Sequence, residues 1–225
     1  MQSLQSEPIV SSSKLVCLVG GAPIADDAIA SVSKGVDAFI GVDGGADHLL
    51  AAAITPAAII GDLDSLSEAA RATFADKLCH VAEQSSTDFE KALTRVVAPK
   101  VLALGFTGGR IDHILSVLNV MARYADRAVV LADTEDASFM ARQGKTTFSA
   151  PKGSRISMMP LGTATVTVTG VGWPFADQVM TPNGFTSPSN AALGGDVTLA
   201  VDGPVLITLP RALLQTALQA VVRAE

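Results

Sequence analysis

Five aspartates in the first half of the chain stand just beyond short apolar runs. Asp43 follows Ala38–Val42, while Asp62 and Asp64 follow Ala57–Gly61. Asp88 follows Leu78–Ala82 and a Ser/Thr loop, and Asp112 follows Val101–Leu104 and a Gly-rich loop. Crowded carboxylates repel one another, so a cluster of them implies a cation or hydrogen-bond donors that offset the charge. Mg²⁺ suits such a set, because it takes oxygen ligands and completes its octahedron with substrate phosphates and water. Taken singly, each aspartate is equally well explained as a helix cap or a loop residue. It is the repetition after successive runs that points to chemistry.

Three segments sharpen this reading. In Gly61-Asp62-Leu63-Asp64-Ser65, an extended backbone sends Asp62 and Asp64 the same way, about 6.5 Å apart, and turns Leu63 to the core. A lone D-x-D is not decisive, since it also occurs in phosphatases, glycosyltransferases and plain turns. Ser86-Thr87-Asp88-Phe89-Glu90-Lys91 predicts a helix start, with Thr87 and Glu90 as a capping box and Asp88 at the positive end. Asp88 and Lys91 share a face there, so one can hold metal while the other contacts phosphate. Gly105-Phe106-Thr107-Gly108-Gly109-Arg110-Ile111-Asp112-His113 leads into the longest helical pattern; its glycines let backbone approach a phosphate, and the helix start supplies free N–H groups. Ile111, Ile114, Leu118, Met121 and Ala125 form the expected buried stripe of that helix, with Asp112, Ser116, Asn119 and Arg123 on a polar one. No Walker A loop is present, because Gly144-Lys145-Thr146 has Phe139 at the position that needs glycine.

The elements that must position these residues alternate. Leu15–Val19, Ala38–Val42, Ala57–Ile60, Leu78–Ala82, Val101–Leu104 and Ala128–Leu131 read as buried strands. Asp26–Ser33, Ala46–Ala53, Ser67–Ala75, Thr87–Val97 and Arg110–Ala125 read as helices between them. This predicts an α/β domain over residues 1–143, with a mainly parallel sheet flanked by helices and ligands at the carboxyl ends of its strands. From residue 144 the texture changes. Arg155–Leu161, Thr163–Thr169, Val197–Val201 and Val205–Leu209 are short β-forming runs between Gly/Pro/Asn turns, and Thr165–Thr169 alternates strictly. Residues 144–210 are therefore expected to form a small antiparallel β sandwich or barrel, within a domain that covers residues 144–225. A C-terminal helix, Arg211–Ala224, is expected to bury Leu214, Leu218, Val221 and Val222.

Composition narrows the function classes. Apolar residues make up 48% of 225 and charged residues 17%, which supports a folded core rather than disorder. The formal charge is −6 and no Lys/Arg cluster stands out, so a nucleic-acid groove is not expected. Cys17 and Cys79 are far apart in sequence and read as free thiols in a reducing compartment. The three histidines lack zinc-ligand spacing with them. The apolar run after the polar N-terminus is too short for a signal-peptide core and none reaches membrane-spanning length, so a cytoplasmic location is expected.

Together the motifs resemble those of the thiamine pyrophosphokinase (thiamin diphosphokinase) family. Val42-Asp43-Gly44-Gly45-Ala46, Ile60 to Ser65, Ser86 to Lys91 and Gly108 to His113 occur in the family's order and at similar intervals. Thr169-Gly170-Val171-Gly172-Trp173-Pro174 and Ser187-Pro188-Ser189-Asn190 resemble its thiamine-binding segments. The resemblance implies diphosphoryl transfer from ATP to the hydroxyl of thiamine, giving thiamine diphosphate and AMP, in a homodimer. It implies catalytic roles for Asp62, Asp64, Asp88 and Asp112, with Mg²⁺ on Asp62, Asp64 and Asp88. Asp43, Lys91, Arg110, Gly108 and Gly109 would contact ATP; Trp173, Ser189 and Asn190 would bind thiamine. One departure is Asp47, where the family often has Asn. A pyrophosphokinase acting on a pterin alcohol would need the first four motifs but neither Trp173 nor Ser189-Asn190. A D-x-D metal-dependent glycosyltransferase would leave Asp88 and Asp112 unexplained.

Overall fold

The computed structural model describes residues 7–221. Its chain divides into two compact units, residues 1–120 and 121–225. The division falls within the helix Ile111–Arg123, earlier than the change of sequence texture at residue 144.

In the first unit, five parallel strands lie in the spatial order Lys100–Leu104, Leu15–Val19, Ala38–Val42, Ala58–Gly61, Leu78–His80. Four of the five are nearly continuous apolar runs, as parallel strands covered on both faces must be; the edge strand Leu78–His80 is only half-buried to exposed. The helices Ala28–Val32, Gly45–Ala51, Glu68–Thr73 and Asp88–Thr94 alternate with the strands. The chain moves outward from Leu15–Val19 through three strands, then returns to that strand's other side. This reversal is the switch point at which open α/β sheets bind ligands.

Backbone crowding at the switch point dictates glycine. A Cβ on Gly20 would sit 2.5 Å from the Gly105 carbonyl oxygen, and one on Gly105 would sit 2.4 Å from that of Gly20. A Cβ on Gly45 would lie 1.8 Å from the Val19 carbonyl oxygen, so the helix Gly45–Ala51 starts directly against the first strand. Asp47, in the first turn of that helix, accepts from the backbone N–H of Ser67 at 3.3 Å and from its hydroxyl. Ser67 in turn caps the helix Glu68–Thr73. The carboxylate that departs from the usual Asn thus ties two helix starts together, at an end favourable to negative charge.

Two local expectations change. Val96–Val97, read as the end of a helix, is a strand paired in parallel with Val10–Ser11, because the helix closes at Arg95 and leaves two β-branched residues beyond it. On the helix Ile111–Arg123 the buried residues are Val117, Val120 and Met121, while Ile111 is 73% exposed and Leu115 is also exposed. The apolar period was right for a helix, but burial begins only in its second turn.

The second unit is antiparallel throughout. One sheet runs Ser187–Ala191, Arg155–Pro160, Val205–Pro210, Asp136–Met140, Val129–Ala132. The other runs Gly144–Ala150, Gly195–Asp202, Ala164–Thr169, Phe175–Met180. Val166 and Val168 are buried while Thr165 and Thr169 face solvent, as strict alternation requires. Phe139 and Phe148 join the sheets edge to face, with ring centroids 6.3 Å apart. After the single turn Arg211–Leu213, the helix Leu214–Ala220 helps bury Leu214, Leu218 and Val221; Val222 and the predicted continuation to Ala224 lie outside the described residues. Among the described residues no helix is long and apolar enough to cross a membrane.

At Gly45 an added Cβ would meet the Val19 backbone, a clash that no side-chain rotation relieves. Gly45→Ala should therefore lower the free energy of unfolding by about 2–3 kcal/mol or more in urea titrations. Gly35→Ala, where an added Cβ meets nothing within 4 Å, should stay within about 0.5 kcal/mol of the parent.

Candidate active site

The D-x-D segment is a tight turn rather than an extended strand. Leu63 has φ +65°, a left-handed conformation uncommon for a branched side chain. It is held there by burial among Ala46, Ile59, Leu66, Ala70 and Phe74, and by Arg71, whose guanidinium donates to the Leu63 carbonyl at 2.5 Å. The outcome matches the expected one by another route: Leu63 enters the core and both carboxylates face out. The Asp64 N–H donates to Asp62 Oδ1 at 3.4 Å, and the Ser65 hydroxyl donates to Asp64 at 2.9 Å.

Asp43 joins this pair. One carboxylate oxygen from each of Asp43, Asp62 and Asp64 falls within 4.8 Å of the others. Asp43 is buried with φ +47°, and its Oδ1 has no hydrogen-bond partner. Burial pushes its carboxyl above the usual carboxylate range, against the opposing pull of Ser65 and the Gly44 N–H, and the charges of Asp88 and Asp64 add to the rise. A buried oxygen without a donor costs about 1–3 kcal/mol. A hard cation taking oxygen ligands answers that cost, and two ligands on opposite sides of Mg²⁺ lie about 4.2 Å apart. The three carboxylates gather closely enough that the group could hold a metal ion.

Asp88 stands next to this triad but is bound differently. Its Oδ1 accepts from Lys91 Nζ at 2.9 Å and from the Asp62 N–H at 3.3 Å. Lys91 is only 2% exposed, and its Nζ also lies 3.7 Å from Asp62 Oδ2. Burial alone would pull the Lys91 ammonium down, but Asp88, Asp62 and Glu83 together raise it above the ordinary lysine value. Thr87 caps this helix as its sequence predicts, accepting from the Glu90 N–H at 3.4 Å. Gly61 makes room for the group, since a Cβ there would lie 3.0 Å from the Asp43 Cβ and 3.2 Å from Asp88 Oδ1.

Sequence reasoning noted the Ser/Thr loop before Asp88 but passed over Glu83 and Gln84 within it. Gln84 donates to Asp62 Oδ2 at 3.3 Å and helps hold that carboxyl below its usual range against its own burial. Glu83 accepts from the Ser85 N–H at 2.9 Å, the Ser85 hydroxyl at 2.7 Å, the Ser86 N–H at 3.1 Å and the Ser86 hydroxyl. The signal that was available was the Glu-x-Ser-Ser spacing, which lets one carboxylate gather two N–H groups and two hydroxyls.

Among the described residues, Arg110 and Asp112 are not part of the triad. Three strand spacings, roughly 14 Å, separate Lys100–Leu104 from Ala58–Gly61. Both side chains are exposed and grip each other, Nε to Oδ1 at 3.1 Å and Nη2 to Oδ2 at 2.5 Å. Gly108 and Gly109 precede them at φ +82° and +72°.

In the second unit, Trp173 is 67% exposed and Ser189 is exposed, but Asn190 is buried. Ser189 has φ +59° where the strand Ser187–Ala191 breaks register against Arg155–Pro160, and its N–H donates to the Ser157 hydroxyl at 3.2 Å. Asn190 turns inward and hydrogen-bonds to the backbone of Trp173.

Comparison with known families adds a separate observation. The sequence pattern of the thiamin pyrophosphokinase catalytic domain matches residues 29–131, and that of the family's vitamin B1 binding domain matches residues 145–206. The chain belongs to the thiamin pyrophosphokinase family. The catalytic-domain match contains Asp43, Asp62, Asp64, Asp88, Lys91, Arg110 and Asp112, while the vitamin B1 binding match contains Trp173, Ser189 and Asn190. Thiamine pyrophosphokinase 1 of Arabidopsis thaliana is 27% identical over 173 residues, which cover 68% of this chain and 65% of that protein. The chain thus spans just under two thirds of that relative's length. Thiamine pyrophosphokinase of Bacillus subtilis is 38% identical over 90 residues, 37% of this chain and 42% of that protein. The solved thiamin pyrophosphokinase of Geobacillus thermodenitrificans superposes with a TM-score of 0.74 at 26% identity, covering 87% of this chain and 96% of the other.

Glu83 makes the loop before Asp88 testable by pH. The Ser86 and Ser85 side chains, with their N–H groups, lower its carboxyl from an ordinary 4.5 to about 2. A depressed carboxyl stabilises the fold above its unfolded value and loses that contribution as pH falls. Glu83→Gln should therefore be less stable than the parent at neutral pH, and the difference should close between pH 4.5 and about 2 in denaturant titrations. A difference that stays constant down to pH 2 would mean that the Glu83 charge does not hold the loop.

Proposed function

We propose that this protein transfers a diphosphoryl group from ATP to the hydroxyl of thiamine, giving thiamine diphosphate and AMP. The carrying observation is the carboxylate triad Asp43, Asp62 and Asp64, with its unpartnered buried oxygen, in a chain of this family. Mg²⁺ is the cation these ligands suit, held by Asp62 and Asp64 together with Asp43, with Asp88 beside them. When bound, Mg²⁺ supplies charge neutralisation for the triphosphate and polarisation of its β-phosphorus.

The remaining work falls to the chain's own groups. Diphosphoryl transfer needs little covalent help, so positioning and electrostatics carry most of it. Lys91 fixes Asp88 and Asp62 from beneath, so the carboxylates need no reorganisation when substrate arrives. Gln84 steadies the other face of Asp62. Arg110, exposed on a glycine-flanked loop, contacts phosphate by exchanging Asp112 for it, with the Gly108 and Gly109 backbone alongside. Trp173 stacks on the pyrimidine ring of thiamine, since an exposed indole face suits a flat cationic heterocycle, and the Ser189 hydroxyl offers a hydrogen bond. The working form is a homodimer.

Asp64 is exposed and bonds only to its neighbours, so its loss should spare the fold. Asp64→Ala should lower kcat about 10²–10³-fold at saturating Mg²⁺, the range for one lost transition-state contact. Near-normal turnover would remove Asp64 from the metal site. Trp173 is the chain's single tryptophan, so thiamine should quench its fluorescence directly. Trp173→Ala should weaken thiamine by about 1–3 kcal/mol and leave ATP binding nearly unchanged. A variant that binds thiamine normally would take the indole out of the acceptor site.

A further inference from the structure

Asn190 is 2% exposed, and all four hydrogen-bonding positions of its carboxamide are filled within the protein. Its Oδ1 accepts from the Trp173 N–H at 3.1 Å and from the Ala191 N–H at 2.9 Å. Its Nδ2 donates to the Trp173 carbonyl at 2.8 Å and meets the Ser187 hydroxyl at 3.5 Å. The amide cannot be reversed, because that would set NH₂ against two N–H donors. No capacity remains for a ligand, so the side chain does not serve by touching one.

What it does touch is the backbone of the residue whose indole is exposed. The approach to Trp173 is already tied down: the Leu193 N–H donates to the Gly170 carbonyl at 3.0 Å, and the Gly172 N–H donates to the Ala191 carbonyl at 2.8 Å. Val171 and Ala192 form an isolated antiparallel bridge between them. At Trp173 the backbone ladder stops, and the Asn190 side chain supplies both missing bonds. A large side chain standing in solvent has little packing to orient it, so its direction rests on its backbone.

We propose that Asn190 is a positioning residue that sets the Trp173 indole for the acceptor. It acts by completing the backbone pairing of Trp173 rather than by bonding to substrate. The proposal rests on the reading that Trp173 stacks on thiamine. Ser189 marks the place where this strand leaves regular register, with Ser189 exposed and Asn190 buried beside it.

The test combines steady-state kinetics with the emission anisotropy of the single tryptophan in the ligand-free protein. Asn190→Ala should lower that anisotropy and raise the thiamine KM about tenfold, with kcat and the ATP KM within twofold. Asn190→Asp guards against simple unfolding. Its protonated carboxyl can accept from the Trp173 N–H and donate to the Trp173 carbonyl, whereas its carboxylate opposes that carbonyl. Compared with the parent at each pH, the thiamine KM of Asn190→Asp should therefore recover as pH falls, which a merely structural defect would not do. Unchanged anisotropy and thiamine KM in Asn190→Ala, with Trp173→Ala still weakening thiamine, would overturn the proposal and leave the stacking reading intact. Equal losses for thiamine and ATP, without recovery in Asn190→Asp, would also overturn it. Lowered anisotropy with Trp173→Ala binding thiamine normally would overturn the acceptor role through the stacking reading itself.

Discussion

A buried ammonium is the constraint on which the carboxylate site depends. Lys91 reaches from the second turn of its helix to Asp88 at 2.9 Å and Asp62 at 3.7 Å, almost wholly out of water. Without it, Asp43, Asp62, Asp64 and Asp88 would crowd together with no positive charge among them. Removing one partner of a buried ion pair costs about 3–5 kcal/mol, and the lower end applies here because both aspartates are partly exposed. One lysine offsets part of the negative charge and leaves the remainder for a cation. Within the triad, the buried Asp43 Oδ1 has no donor. The buried charge therefore does two things: it makes the cluster tolerable to the fold and keeps it incomplete.

Strand order then decides which aspartates share the site. The alternation of apolar runs and helical patterns was legible, and strands such as Leu15–Val19 and Ala38–Val42 run just where their residues suggest. What a linear reading does not contain is the return crossover. The sequence reading gathered Asp112 with the other aspartates at one edge of the sheet, without the order of the strands. The strand before Asp112 instead pairs with Leu15–Val19, on the far side from Ala38–Val42. Asp43, assigned to nucleotide rather than metal, sits at the end of the strand next to Asp62 and lies in the triad. The Leu63 turn was hidden for a related reason. Its left-handed backbone is maintained by burial and by Arg71, eight residues away, and neither is visible in the five residues of the motif.

The second unit was legible where alternation is strict and illegible where strands are irregular. Val166 and Val168 announce their strand. Phe175–Met180 and Ser187–Ala191 do not, since the first contains Asp177 at φ +48° and the second contains Pro188 and a register break. Pro is tolerated in Ser187–Ala191 because this is the edge strand of its sheet. Ser189-Asn190 could be flagged as a pair of polar residues, but not divided into an exposed hydroxyl and a buried clamp. That division depends on bonds to a residue 17 positions earlier.

Backbone strain falls in a consistent place across both units. Five residues other than glycine have positive φ among those described: Asp43, Ala53, Leu63, Asp177 and Ser189. Three of them, Asp43, Leu63 and Ser189, belong to the segments that display functional side chains. A left-handed backbone costs an ordinary residue about 1–2 kcal/mol, so each must be held by its surroundings. Leu63 is held by the core, Asp43 by its N–H donating to the Ile60 carbonyl at 3.0 Å, and Ser189 by its bond to Ser157. Around Leu63 the Asp62 and Asp64 carboxylates gather with Asp43 while Leu63 enters the core, and at Ser189 the strand leaves regular register beside the buried Asn190. The regular elements fix where the chain ends up, and these few strained residues fix where its chemistry points.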